Sequence, residues 1–265
     1  MGLTIHYSFK APGSKVQARQ IVHALHQAAQ DLPFKELGSV VELSGAQCDP
    51  DGHQRGEPLR WLLIQAAQSV EFKPRGRGQN QGYTSWFDVP PTRLIAFYAW
   101  PGEGCEASNF GFCQYPTMME TRRGPLKTGL SGWRWSSFCK TQYASNPQCG
   151  GVPHFLRCHL TVIAMLDKAR ELGCLDKVSD EGDFWEKRNL PELVKEIGSW
   201  NEMIAAFGGK LKDLLGNGPL GLQSAIAQYP NVEHLEAAGQ GKLPPGVEHL
   251  ARLIQRVTPR SDFRG

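Results

Sequence analysis

The chain has 265 residues, 40% hydrophobic and 21% charged, with 29 Lys and Arg against 26 Asp and Glu. Such a composition can bury enough apolar surface to offset ordering entropy, which excludes extensive disorder, and a net charge of +3 is too small to indicate nucleic acid or a membrane surface. The 29 glycines and 18 prolines exceed the usual ~7% and ~5% shares, which disfavours an all-helical bundle.

In chain order, Leu3, Ile5, Tyr7 and Phe9 alternate with polar residues and predict a strand over 3–9. Ser14 followed by Gln17 predicts a capping box opening a helix, with Ala18, Ile21, Val22, Leu25, Ala28, Ala29 and Leu32 on one stripe. A short strand is expected at 40–43 and a helix at 58–67, with Pro58 near its first position. A glycine-rich loop carrying Lys73, Arg75 and Arg77 follows. Residues 94–100 form the longest apolar run, far short of the ~18–20 residues of a membrane span, and are expected as a central strand. A partner strand is expected at 110–115. A further strand at 133–143 places Trp133, Trp135, Ser137, Cys139, Thr141 and Tyr143 on one face.

The second half turns helical. Residues 153–172 carry Phe155, Cys158, His159, Val162, Met165, Leu166, Ala169 and Leu172 on a broad inward stripe closed by Gly173. A hairpin is expected around Asp180-Glu181-Gly182-Asp183, whose spacing does not match a calcium loop. Asn189 with Glu192 caps a long helix, which Gly208-Gly209 would kink or divide. Strands early and helices late predict an α+β fold. Its sheet is mixed or mostly antiparallel and packed against several helices, as one core domain over 1–216. A Gly- and Pro-rich extension over 217–265 follows, with a short helix at 247–257.

Seven cysteines and a start without a secretory signal indicate reduced thiols in a cytosol. The densest cluster of metal-binding residue types is Cys139, Cys149, His154, Cys158 and His159. It has no CxxC pair, so no metal ligand set is assigned and no cofactor is indicated. His23 and His26, one turn apart, are expected at the surface. Cys139 is the candidate nucleophile, lying in a basic stretch with Arg134 and Lys140, and inward-facing His159 is its candidate base, oriented by the acidic turn at 180–183. Polar groups turned inward must meet one another, water or a ligand. Cys139, Tyr143, His159 and Glu103, the last from the loop Pro101-Gly102-Glu103-Gly104-Cys105-Glu106, are therefore expected to line a common pocket. The expected function is an enzyme, a hydrolase or transferase, acting on a small molecule or peptide there. Two alternatives stay open: a ligand- or protein-binding domain without chemistry, and a Cys/His metal protein. Nucleic acid is disfavoured because Trp133 and Trp135 lie on the face opposite Arg134 and Lys140.

Overall fold

The computed structural model describes residues 3–11, 13–72, 85–215 and 232–239. The alternating first segment is β1 (Thr4–Ala11), with Ile5, Tyr7 and Phe9 buried and His6 and Lys10 exposed. Successive strand side chains point to opposite faces, so this pattern commits one face to the core. In α1 (Lys15–Gln30), Ser14 Oγ accepts the Gln17 amide while the Gln17 side chain accepts the Ser14 amide. That reciprocal cap fixes the first turn, and Ala18, Val22, Leu25 and Ala29 bury the stripe.

The chain continues through β2 (Glu36–Leu37), β3 (Val41–Ser44), α2 (Pro58–Ala66), β4 (Gln68–Phe72), β5 (Ser85–Val89), β6 (Arg93–Phe97), β7 (Ala99–Trp100), β8 (Phe110–Gln114), β9 (Met118–Thr121), β10 (Gly124–Lys127) and β11 (Trp133–Lys140). It then forms α3 (Gly151–Glu171), β12 (Leu175–Asp180), α4 (Phe184–Lys187), α5 (Leu190–Leu215) and α6 (Val232–Gly239). Six strands make the main sheet in the order β12-β1-β11-β8-β6-β3, every neighbouring pair antiparallel. The fold is therefore α+β around a mostly antiparallel sheet.

One face of the sheet carries Ile5, Tyr7, Phe9, Trp135 and Cys139, all buried. α1 lies over it, with His26 meeting Phe97 edge-on at 4.9 Å, and α3 packs beside α1. The central strands β6 and β8 are buried on both faces. Over their second face lies α2, whose Ala66 carbonyl accepts from Tyr115 Oη at 2.6 Å. Towards the outer end of β11 and on β1 that second face carries the exposed His6 and Phe138 rings, 5.8 Å apart.

Several expectations need correction. The run 94–100 is two strands: β6 stays in the main sheet and β7 leaves it to pair with β2. β11 stops at Lys140, and residues Gln142–Ser145 form a 3-10 turn, so Thr141 and Tyr143 do not continue its inner face. The expected hairpin at 174–187 does not form. β12 instead pairs with β1 at the sheet edge, and Asp180 accepts the Gly182 and Trp185 amides, both at 2.9 Å, turning the chain into α4. α5 runs through Gly208-Gly209 as one helix, and Asn189 Oδ1 accepts the Glu192 amide at its start. The hairpins β4–β5 and β9–β10 were not anticipated. Within the extension α6 packs on α5, with Val232 and Leu235 against Ala205. The basic loop at 73–77 and the helix expected at 247–257 lie outside the described residues. Among the described residues no helix is long and apolar enough to cross a membrane.

Candidate functional site

Three segments meet at one end of the sheet: the loop 101–106, the end of β11 with the turn after it, and the first two turns of α3. The loop is tied to β11 by Glu106 N to Lys140 O at 3.0 Å and Lys140 N to Glu106 Oε2 at 3.2 Å. Gly104, at φ +75°, lies so close to the turn that a Cβ there would stand 2.4 Å from the Tyr143 carbonyl oxygen. Only glycine fits that conformation and that space. At Gly102 an added Cβ would stand 2.9 Å from His154 Cε1 and 3.3 Å from Cys158 Sγ, so the loop backbone forms a lid directly over the thiol.

His154 and Cys158 occupy positions i and i+4 of α3 and so share a face. The Cys158 thiol is fully buried; Sγ lies 3.6 Å from His154 Nε2 and 3.5 Å from the Pro101 carbonyl oxygen. Arg157 Nη2 donates to His154 Nδ1 at 3.0 Å. A guanidinium can only donate, so Nδ1 is the acceptor and Nε2 carries the hydrogen. Nε2–H donates to the Glu103 carbonyl at 3.0 Å and faces the sulfur. Burial, with the Arg157 and Lys35 charges, lowers the His154 pKa and keeps the ring neutral.

Cys105 is half-buried and packs on the same apolar cluster as Cys158. Cys105 lowers the pKa of Cys158 by donating to its sulfur, and the Arg157 cation adds to this against the opposing effect of burial. Cys105 is correspondingly raised, first by that shared hydrogen bond and then by burial.

The expected pocket residues lie around this junction without forming one set. Cys139 is fully buried; its Sγ donates to the Glu106 carbonyl at 3.1 Å, and burial pushes its pKa up well above an ordinary thiol. His159, one residue from Cys158, is on another side of the helix. Its Nε2 donates to Asp180 Oδ2 at 3.3 Å and its Nδ1 accepts from Thr141 Oγ1 at 3.0 Å. Both ring nitrogens are committed, and neither partner is Cys139. The catalytic dyad expected of Cys139 and His159 is thus not made by this geometry, although the acidic turn does supply the partner of His159. Tyr143 is half-buried under Lys140, whose Nζ is 4.8 Å from the ring centre. The Glu103 carboxylate turns to the surface and pairs with Lys35, so it contributes its carbonyl and not an acid group.

The wider cluster of Cys139, Cys149, His154, Cys158 and His159 is divided in the same way, and among the described residues no group of three or more His, Cys, Asp and Glu side chains is placed to hold a metal. His23 is exposed, while His26 is half-buried and bonds the Gly38 carbonyl at 2.9 Å. An open cleft lined by Lys15, Glu42, Ser44, Arg93 and Trp133 lies elsewhere. There the Glu42 carboxyl is held down to about 2 by its bond to Arg19, an exposed pair with no thiol near it.

Cys105 is the member that the sequence reading missed. It stands 53 residues from Cys158, and only the return of the loop onto α3 joins them. Comparison with protein-family models, curated proteins and solved structures finds no match.

Proposed function

We propose that this chain carries out thiol-dependent chemistry on a small molecule or peptide, with the paired sulfurs of Cys105 and Cys158 in the place first given to Cys139 and His159. The observation that supports this reading is the Cys158 thiol, buried 3.6 Å from His154 Nε2 under the Gly102 backbone, with half-exposed Cys105 packed on the same cluster. A thiolate is the reactive form of cysteine, and donors with a nearby cation stabilise it near neutral pH. The Cys158 thiol is lowered and the Cys105 thiol raised, so the charge rests on Cys158 and half-exposed Cys105 keeps its proton. Arg157 and His154 hold the site's charge, and Gly102 keeps bulk away from Cys158. Cys139 remains a packed thiol and His159 a buried, fully bonded ring.

The test is alkylation of the folded protein near pH 7, with each cysteine followed by peptide mapping. Cys158 is expected to label ahead of the buried Cys48, Cys113, Cys139 and Cys174, whose pKa values burial pushes up. Cys105→Ala takes away the neighbour that holds the Cys158 thiol down and should slow that labelling by about tenfold or more, the effect of raising a thiol pKa by one unit. If Cys158 labels no faster than the buried Cys139, the reading fails and a binding role without chemistry takes its place.

A further inference from the structure

The open cleft beside α1 lies at the other end of the main sheet from the thiols. Lys140, tied to the loop 101–106, ends β11, and Trp133 begins it. The eight residues of that strand put about 23 Å between the two ends. Ser44 pairs with Arg93 across the β3–β6 ladder, so their side chains share one face of the sheet. It is the face that α1 covers, since Phe97, two pleat repeats beyond Arg93, meets His26 of that helix. The cleft opens where α1 begins, beside Lys15, and has a volume of about 410 Å³.

The charges around it do not balance. Arg19 grips both oxygens of Glu42 through Nε and Nη2, the second at 2.7 Å, and Lys15 Nζ stands 3.1 Å from Oε2. The guanidinium fork alone satisfies the carboxylate. Lys15, half-exposed on a flexible stem, is free to turn to another anion. Arg93 is exposed and makes no salt bridge among the described residues. Three cations therefore stand against one carboxylate, a surplus of two positive charges. The other wall is apolar, made by Trp133 with Leu43 and Leu94.

We infer that this cleft binds a small phosphomonoester carrying a flat apolar group. A phosphomonoester bears a charge of about −1.5 to −2 at neutral pH, which meets the surplus. The planar fork of Arg93 suits two phosphate oxygens, and Lys15 adds a point charge to a third. The Ser44 hydroxyl, on the same wall as Arg93, supplies a further donor. The apolar group lies against Trp133. The volume falls within the roughly 300–1,000 Å³ of small-molecule sites. Binding here needs neither Cys105 nor Cys158.

The full chain is titrated by calorimetry at neutral pH and low salt with phenyl phosphate, and separately with inorganic phosphate and with benzoate. Phenyl phosphate is expected to saturate one site. It should bind about tenfold or more tighter than inorganic phosphate, which lacks the ring, and than benzoate, which carries a single charge. Arg93→Ala and Lys15→Ala, both at exposed side chains, should each weaken it by about tenfold. Glu42→Gln removes the carboxylate that competes for Lys15 and should tighten it severalfold. No saturation by phenyl phosphate, or equal binding in Arg93→Ala and Lys15→Ala, overturns the site. Benzoate binding as tightly overturns the phosphomonoester, and weaker binding in Glu42→Gln overturns the charge surplus as its cause.

Discussion

Cys158 and His159 are consecutive residues of α3, a little over a quarter turn apart, yet they serve two polar groups of opposite kind. Around His159 every polar atom has found a partner. The ring nitrogens bond Thr141 and Asp180, the Asp180 oxygens also take the Gly182 and Trp185 amides, and the His159 and Asp180 side chains are 0% exposed. Around Cys158 there is a surplus. A neutral thiol can use few bonds, but Cys105, His154 and Arg157 all approach it, and Cys105 opens to the surface. A satisfied buried network fixes one arrangement of the core. A surplus of donors around a sulfur favours its ionised form and so prepares a change of state.

This contrast can be broken from either side. The largest effect should come from Asp180→Asn, which strips the carboxylate from a buried His pair and is expected to cost about 3–5 kcal/mol, read by chemical denaturation. Burial pushes the Asp180 carboxyl up, but the His159 bond and the two amides outweigh it and hold the pKa below the usual value. Its contribution is therefore complete above the unfolded carboxyl pKa of about 3.9 and disappears as pH falls through the lower folded value. The substitution should flatten that acid limb, and an unchanged limb would show that the group is not structural. Thr141→Val leaves His159 Nδ1 without its donor and should cost about 1–3 kcal/mol with little change in Cys158 labelling.

On the other side, Gly104→Ala forces a side chain into a left-handed conformation against the Tyr143 carbonyl. It should cost about 1–3 kcal/mol and displace Cys105, so that labelling slows with stability. His154→Ala should separate the two: a half-exposed ring leaves the denaturation midpoint nearly unmoved, while Cys158 labelling falls severalfold because a donor to that sulfur is gone. Equal losses in both measurements would make His154 a packing residue. The smallest effect belongs to Glu42→Gln, an exposed pair with Arg19 and Lys15, expected to change stability by less than about 1 kcal/mol and less still at high salt.

The main elements could be read from the chain because their causes are local. The Ser14–Gln17 cap, the alternation in β1 and β11 and the stripe of α3 need only neighbours to be seen. Elements were misread where a distant partner decides. Residues 99–100 leave the sheet because Glu36 and Leu37 pair with them, and residues 184–187 become helical because Asp180 reaches forward to the Trp185 amide. The site followed the same division. The loop, β11 and α3 could be picked out as converging because each carried inward polar residues. Sequence could not assign which sulfur meets which nitrogen: the pairing of Cys105 with Cys158 depends on a loop folding back over a helix 53 residues later. The turn at 141–145 also removed Tyr143 from the strand face where alternation had placed it.

The open ends of the sheet carry one more consequence. β3 and β12 each have one side without a strand partner in the main sheet, and such edges are where a second chain would add and start to aggregate. On β3 the exposed Glu42 is clamped by Lys15 and Arg19 from α1, so charge sits in the middle of a four-residue strand. On β12 Asp176 and Lys177 stand exposed side by side, and the ladder to β1 shifts register between Ser8 and Phe9. A short charged edge and a bulged charged edge are both poor templates for growth. The ion pairs that add least to folding stability therefore guard the colloidal behaviour of the chain, and their loss would show as self-association at high concentration.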